Sequence, residues 1–291
     1  MKSILCSIML LTLSNLVLGQ HETVKNTRTY ISLKQYKKKY NQPLTKQDSI
    51  HFLIREGDTL VWDKNYIRPK GKSVPYEYKD DSFLKLYKEI AFRASKDSTK
   101  KSEPMRYWKN DLKIFISNSI DKKIKKDFFN FSKEISKNID SLNIKQVKTV
   151  EESNFIIYLT GDFEYESRIS NYKSTDYYMY WNGNSQIYKT TIRIIKEDNF
   201  NTSLLLNTMK DYFLKSLGHF ELDYSLGCNN YFSGCQNGDV KLTKLDLELL
   251  RYHYSYGICK GTNIETFESQ HEKAKEALKK HNHRVGFFHS Y

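Results

Sequence analysis

Apolar residues recur every four positions through NTSLLLNTMKDYFLKSLGH, residues 201–219, with Leu205, Met209, Phe213 and Leu217 on one side. That spacing predicts a helix that buries one face. Asn201, Thr202 or Ser203 can accept the first free amide hydrogens, and Gly218 is placed to take the left-handed exit conformation. The same period predicts helices over 82–94 (Phe83, Leu86, Tyr87, Ile90, Ala94) and 120–139 (Ile120, Ile124, Phe128, Phe131, Ile135). Leu242, Leu245, Leu249 and Tyr252 form a further apolar face, and a charged helix over 265–280 leads into the basic tail HNHRVGFFHSY. Strands are predicted at 111–117, at 144–150 and at 154–160, the last apolar enough to be buried on both faces. Two more, DYYMYWNG and SQIYKTTIRII, flank the turn Asn182-Gly183-Asn184. Alternation puts Tyr178 and Tyr180 on one face of the first of these and Tyr177, Met179 and Trp181 on the other. One face packs on the core, and the other is a candidate for stacking on sugar rings. Upstream, SIHFLIREGDTLVW reads as a hairpin about Glu56-Gly57-Asp58, with His51 in its first strand as a surface or core residue.

The succession strand, helix, strand, strand, strand pair, helix describes an α+β fold. It is a mixed sheet with one long packing helix, a second helix delivered by the last strand, and a helical C-terminal part. The domain plan is a leader at 1–19, an N-terminal extension with a hairpin at 20–80, a main domain at 81–264 and a charged helix with basic tail at 265–291. The polar stretch KDSTKKSEP, residues 96–104, is the best internal candidate for a boundary.

Composition adds a compartment. MKSILCSIMLLTLSNLVLG has one lysine, an apolar core at 4–13 and small or apolar residues at Val17 and Gly19, which reads as a cleaved export signal. As a retained anchor the run is short and interrupted by Thr12, Ser14 and Asn15. No later stretch is apolar enough to span a bilayer, so a secreted or periplasmic protein is expected. Cys6 leaves with the leader, and Cys228, Cys235 and Cys259 remain where disulfides form. Three pairings are possible; the short loop CNNYFSGC favours Cys228 with Cys235, and the spacing is too wide for a zinc knuckle. The formal charge of +13 becomes +12 without Lys2. Its lysine clusters, at 37–39 and at Lys122, Lys123, Lys125 and Lys126, are interleaved with Asp and Glu, and no nucleic-acid motif appears. An anionic glycan or envelope surface is the partner class that fits, and nucleic acid is not.

The helix at 201–219 carries a second pattern. Its ending has the layout of the zincin helix His-Glu-x-x-His-x-x-Gly-x-x-His, and the glycine sets the frame. Asp211 then falls on the first histidine, Tyr212 on the glutamate, Lys215 on the second histidine and Glu221 on the third ligand. A zincin needs two neutral imidazoles one turn apart and a glutamate that deprotonates the bound water. An ammonium at 215 has no lone pair and repels a dication.

Over residues 83–262 the chain resembles exported zincin-like proteins of domain of unknown function family 2927. The resemblance rests on RYWKNDLKIFI, FLKSLGHFELD and LTKLDLELLRYHYSYGICKG. It implies a zincin-like fold whose helix carries acidic residues and a Gln before Leu-Gly. Tyr212 and Lys215 replace even those, leaving Asp211 as the only matching carboxylate. The expected function is therefore a non-catalytic binding or cell-envelope protein with a degenerate site and no cofactor. The alternative is a metal-dependent, peptidase-like hydrolase with displaced ligands, Asp211, His219, Glu221 and Asp223. Against it, His219 is placed to donate to the last helix carbonyls, and Asp211 to pair with Lys215 at i, i+4. A Ser or Cys nucleophile has little support: there is no Gly-x-Ser-x-Gly elbow, and Cys259 has no evident base beyond nearby His253.

Overall fold

The computed structural model describes residues 28–40, 43–55, 57–67, 70–94, 101–236, 240–282 and 284–290. The leader at 1–19 lies outside the described residues. The chain forms two compact units that divide between Pro69 and Lys70.

The smaller unit is a three-stranded antiparallel sheet in the order β1 (Tyr30–Ser32), β3 (Asp58–Trp62), β2 (Leu53–Arg55), with short helices α1 (Leu33–Lys39) and α2 (Lys46–Ser49). β2 and β3 are the predicted hairpin, and Gly57 takes the positive φ that its turn requires. Asp63 is buried at its edge and holds Lys39 Nζ and Tyr40 Oη, each at 2.7 Å. His51 falls in the turn before β2, not in the strand, and its ring meets Trp62 edge-on.

The larger unit is built on β6 (Leu112–Ile116), β7 (Ile144–Gln146), β8 (Phe155–Leu159) and β10 (Gln186–Ile194), parallel in the order β7-β6-β8-β10. β9 (Asp176–Trp181) runs antiparallel along the outer edge of β10. The other edge of β10 is shared by β8 at 190–194 and by the short parallel strand β5 (Tyr107–Trp108) at 186–187. β9 is thus an edge strand. β8 is buried at all five positions, as its continuous apolar run requires.

Two helices cover one face: α4 (Lys122–Asn138), with Ile124, Phe128, Phe131 and Ile135 buried, and α5 (Thr202–Ser216), with Leu205, Met209 and Phe213 buried. Their rings interlock edge to face, Phe213 standing 5.3 Å from Phe128 and 5.6 Å from Phe155. The other face carries a small cluster of Phe115, Ile156 and Tyr158 under the loop at 160–175. Buried Arg193 ties that loop down through Glu164 and the Asn171 carbonyl. Met179 and Tyr177 turn to the core side of β9, so Tyr178 and Tyr180 lie on the opposite face, with Arg168 over both rings.

Three features differ from the sequence reading. The unit boundary falls at 69/70 rather than 80/81, because β4 (Gly71–Pro75) pairs with β11 (Gly286–Ser290). The C-terminal part is accordingly no separate tail: α7 (Ile264–His281) buries Phe267 and Ala274 in this unit, and His271 bonds Tyr76. Of the boundary candidate at 96–104, residues 96–100 lie outside the described residues, and the chain on both sides of it belongs to the one larger unit. After α3 (Asp81–Ala91) the chain returns to the same unit, Glu103 N–H donating to the Phe92 carbonyl and Met105 N–H to that of Thr262.

Candidate functional site

Helix α5 begins with the Asn201 side chain accepting from Leu204 N–H. At its other end the structure corrects the expected glycine exit: His219, not Gly218, holds the left-handed conformation, at φ 56°. Phe220 N–H then bonds the Lys215 carbonyl at 2.9 Å, the closing bond of a Schellman-type cap whose left-handed residue is 219. Gly218 is needed for space. A Cβ there would lie 2.3 Å from the Phe220 ring and 2.9 Å from His253 Nε2. Those atoms cannot give way, because His253 is fully buried between the Arg106 carbonyl (2.9 Å) and Tyr87 Oη (3.1 Å). Desolvation pulls the His253 pKa down to about 3, so the imidazole is neutral.

The helix face that the zincin frame singles out is closed on itself. Lys215 Nζ pairs with Asp211 Oδ2 at 2.7 Å, and Gln236 Nε2 donates to the other Asp211 oxygen at 3.1 Å. Tyr212 donates to the Thr175 carbonyl at 2.6 Å, and burial pushes its phenol up to about 12. Lys215 also sits 4.7 Å from the Tyr212 ring. Glu221 faces away from this pair: its carboxylate takes Arg93 NH2 at 2.5 Å. Asp223 accepts from Ser225 N–H and Oγ at 2.6 and 2.5 Å, closing a local turn.

These residues do not fit a zinc ion. Of the four displaced-ligand candidates, Asp211 is engaged with Lys215 and Gln236, Asp223 with Ser225, and His219 and Glu221 both with the Arg93 guanidinium, a cation in the place a metal would need. Among the described residues no three His, Cys, Asp or Glu side chains come together to hold a metal. His219 is not a carbonyl cap either. Its Nε2 faces Arg93 NH1 at 3.3 Å and its Nδ1 faces Tyr177 Oη at 2.9 Å. Arginine has only donors, so Nε2 accepts and Nδ1–H donates to the phenol oxygen. Desolvation, then the charges of Arg106 and Arg93, pull this imidazole down to about 3.

The groups around His219 form a site that the sequence reading missed. Arg93, at φ 51°, reaches from the end of α3 to Glu221, His219 and Glu103, the last at 3.4 Å. Glu103 holds Arg106 NH2 at 2.5 Å. The Arg106 guanidinium, with the residue only 8 % exposed, lies 3.7 Å from the centre of the Trp181 ring, and its NH1 has no hydrogen-bond partner among the described residues. Trp181 itself is 44 % exposed. Arg93, Glu103 and Glu221 continue into a cavity of about 660 Å³, which Lys101, Asp223 and Tyr224 also line. Arg93 and His219, both in left-handed backbone, are in side-chain contact, and Arg93 lines the cavity.

Cys228 and Cys235 are joined in a disulfide, and Cys259 is a half-buried thiol that desolvation pushes upward. Among the described residues no helix is long and apolar enough to cross a membrane. No protein-family model matches the chain, and neither does any curated protein.

Proposed function

We propose that this chain is an exported, non-catalytic binding protein on a zincin-like scaffold. The scaffold reading draws support from the order β6, α4, β7, β8, β9, β10, α5, with an antiparallel edge strand before the site helix. Export is supported by the disulfide, which belongs to an oxidising compartment. The observation that carries the loss of catalysis is the Asp211–Lys215 ion pair. It fills the helix face on which two neutral ligands would stand, one turn apart, in a zinc peptidase. An ammonium held at 2.7 Å by the one matching carboxylate leaves no donor for a cation.

The test is a thermal-shift comparison of wild type and Lys215→Ala, each with zinc and with chelator, beside elemental analysis of the purified protein. The expected result is substoichiometric zinc and a wild-type midpoint that neither zinc nor chelator moves. One tightly held zinc per chain, with stabilisation by zinc and destabilisation by chelator, would put the metal-dependent hydrolase first.

A further inference from the structure

We propose that the cluster around His219 is a binding site for an acidic sugar, a glycan unit that carries a carboxylate, with its ring on Trp181 and its carboxylate on Arg93. This deepens the reading as a binding protein and rests on it for the non-catalytic outcome alone.

The aromatic half of the site is Trp181, on the edge strand β9. One ring face packs on the Arg106 guanidinium at 3.7 Å, while 44 % of the residue stays exposed. A cation behind an indole anchors it as a fixed platform, and an exposed indole face suits the C–H face of a sugar ring. The charged half is Arg93. His219 joins the two: its ring centre stands 6.3 Å from that of Trp181, and its Nε2 stands 3.3 Å from Arg93 NH1. Platform and guanidinium therefore both contact one imidazole, and an acidic sugar carries its apolar face and its carboxylate on one ring. Arg106 and Arg93 both act on His219 as nearby positive charges, behind the larger effect of burial. Arg106 NH1, buried and without a hydrogen-bond partner among the described residues, stays behind the indole with the rest of the guanidinium.

Charge balance favours exchange over addition. Arg93 and Arg106 are matched by Glu103 and Glu221, and His219 is neutral, so an extra carboxylate would be uncompensated if every group stayed in place. Glu221 is the group that can leave. Its side chain is half exposed, whereas Glu103 is shared between both guanidiniums. A ligand carboxylate replacing Glu221 on Arg93 keeps the bidentate-capable guanidinium paired and returns Glu221 to water. The exchange makes Glu221 a competitor, which a plain basic patch would not have. Nucleic acid, the other polyanion, fits an oxidising compartment poorly.

The experiment is calorimetric titration of the full chain with an oligo-uronate, a neutral oligosaccharide of the same length, and polyglutamate, at two salt concentrations. The uronate is expected to bind, the neutral sugar and polyglutamate to bind at least ten-fold more weakly. Trp181→Ala, at an exposed position, should weaken the uronate ten-fold or more. Glu221→Gln should strengthen it several-fold. No uronate binding, or polyglutamate binding as well as the uronate with Trp181→Ala unchanged, would overturn the proposal. Zinc content and chelator response, measured on the same preparation, decide the non-catalytic reading separately.

Discussion

Replacing His219 by glycine and by alanine separates backbone strain from side-chain contact. Both variants lose the same groups: the hydrogen bonds to Tyr177 and Arg93 and the ring contact with Trp181. They differ only in what they put at φ 56°. A Cβ in left-handed backbone costs about 1–2 kcal/mol, and glycine gives back roughly 0.5–1 kcal/mol through the greater freedom of its unfolded chain. His219→Gly should therefore be more stable than His219→Ala by about 1 kcal/mol, although both fall below wild type. Urea unfolding followed by the fluorescence of Trp108 measures the difference, because Trp108 is buried in this unit with its Nε1 on the Ser216 carbonyl at the same helix end. Trp62 belongs to the smaller unit and contributes alike to both variants. Equal stabilities, or a more stable alanine variant with unchanged m-value, would refute the assignment of the left-handed residue to 219.

The neighbouring Gly218→Ala should cost about 1–3 kcal/mol by overpacking against Phe220 and His253, in the same urea experiment, and a neutral result would mean the cap relaxes. Reduction of Cys228–Cys235 should cost about 2.5 kcal/mol on the loop-entropy account, read as a lower urea midpoint with reductant. Acid should destabilise the larger unit before carboxylates titrate. His219 and His253 stay neutral down to about 3 in the native state, whereas an unfolded histidine protonates near 6.5, so the unfolded chain binds more protons between those values and stability falls as pH falls. Each histidine should lose on the order of 2 kcal/mol between pH 7 and pH 5, and a flat urea midpoint over that interval would contradict it.

What the sequence made legible was whatever repeats locally. The four-residue period of Leu205, Met209 and Phe213 and the unbroken run of β8 are consequences of one-sided and two-sided burial, and both are visible within a dozen residues. The β4–β11 pairing is not, because Gly71–Pro75 and Gly286–Ser290 are short, partly polar strands joined across some two hundred residues, and neither carries a period of its own. The exit of α5 misled for a different reason. Glycine at a helix end has two uses, positive φ and small volume, and the sequence cannot tell which is needed. Phe220 and His253 impose the second, which moves the strain onto His219.

The arginine cluster was illegible because its members look like solvated charge where they stand in the chain. Arg93 ends a helix, Glu103 and Arg106 flank Pro104, and Trp181 follows four alternating aromatic or apolar residues, so their meeting depends on three separate segments. Once they meet, their pairings dictate the rest. In the unliganded protein Glu221 pairs with Arg93 rather than Lys215, and Asp211 neutralises the helix ammonium, with Gln236 holding its second oxygen. Two charge systems, one on the α5 face and one at its end, are thereby closed independently. A change at Lys215 should leave sugar affinity nearly untouched, and a change at Trp181 the zinc response, since neither residue touches the other's ion pairs and the two systems meet through the ring contact of Tyr177 with Tyr212.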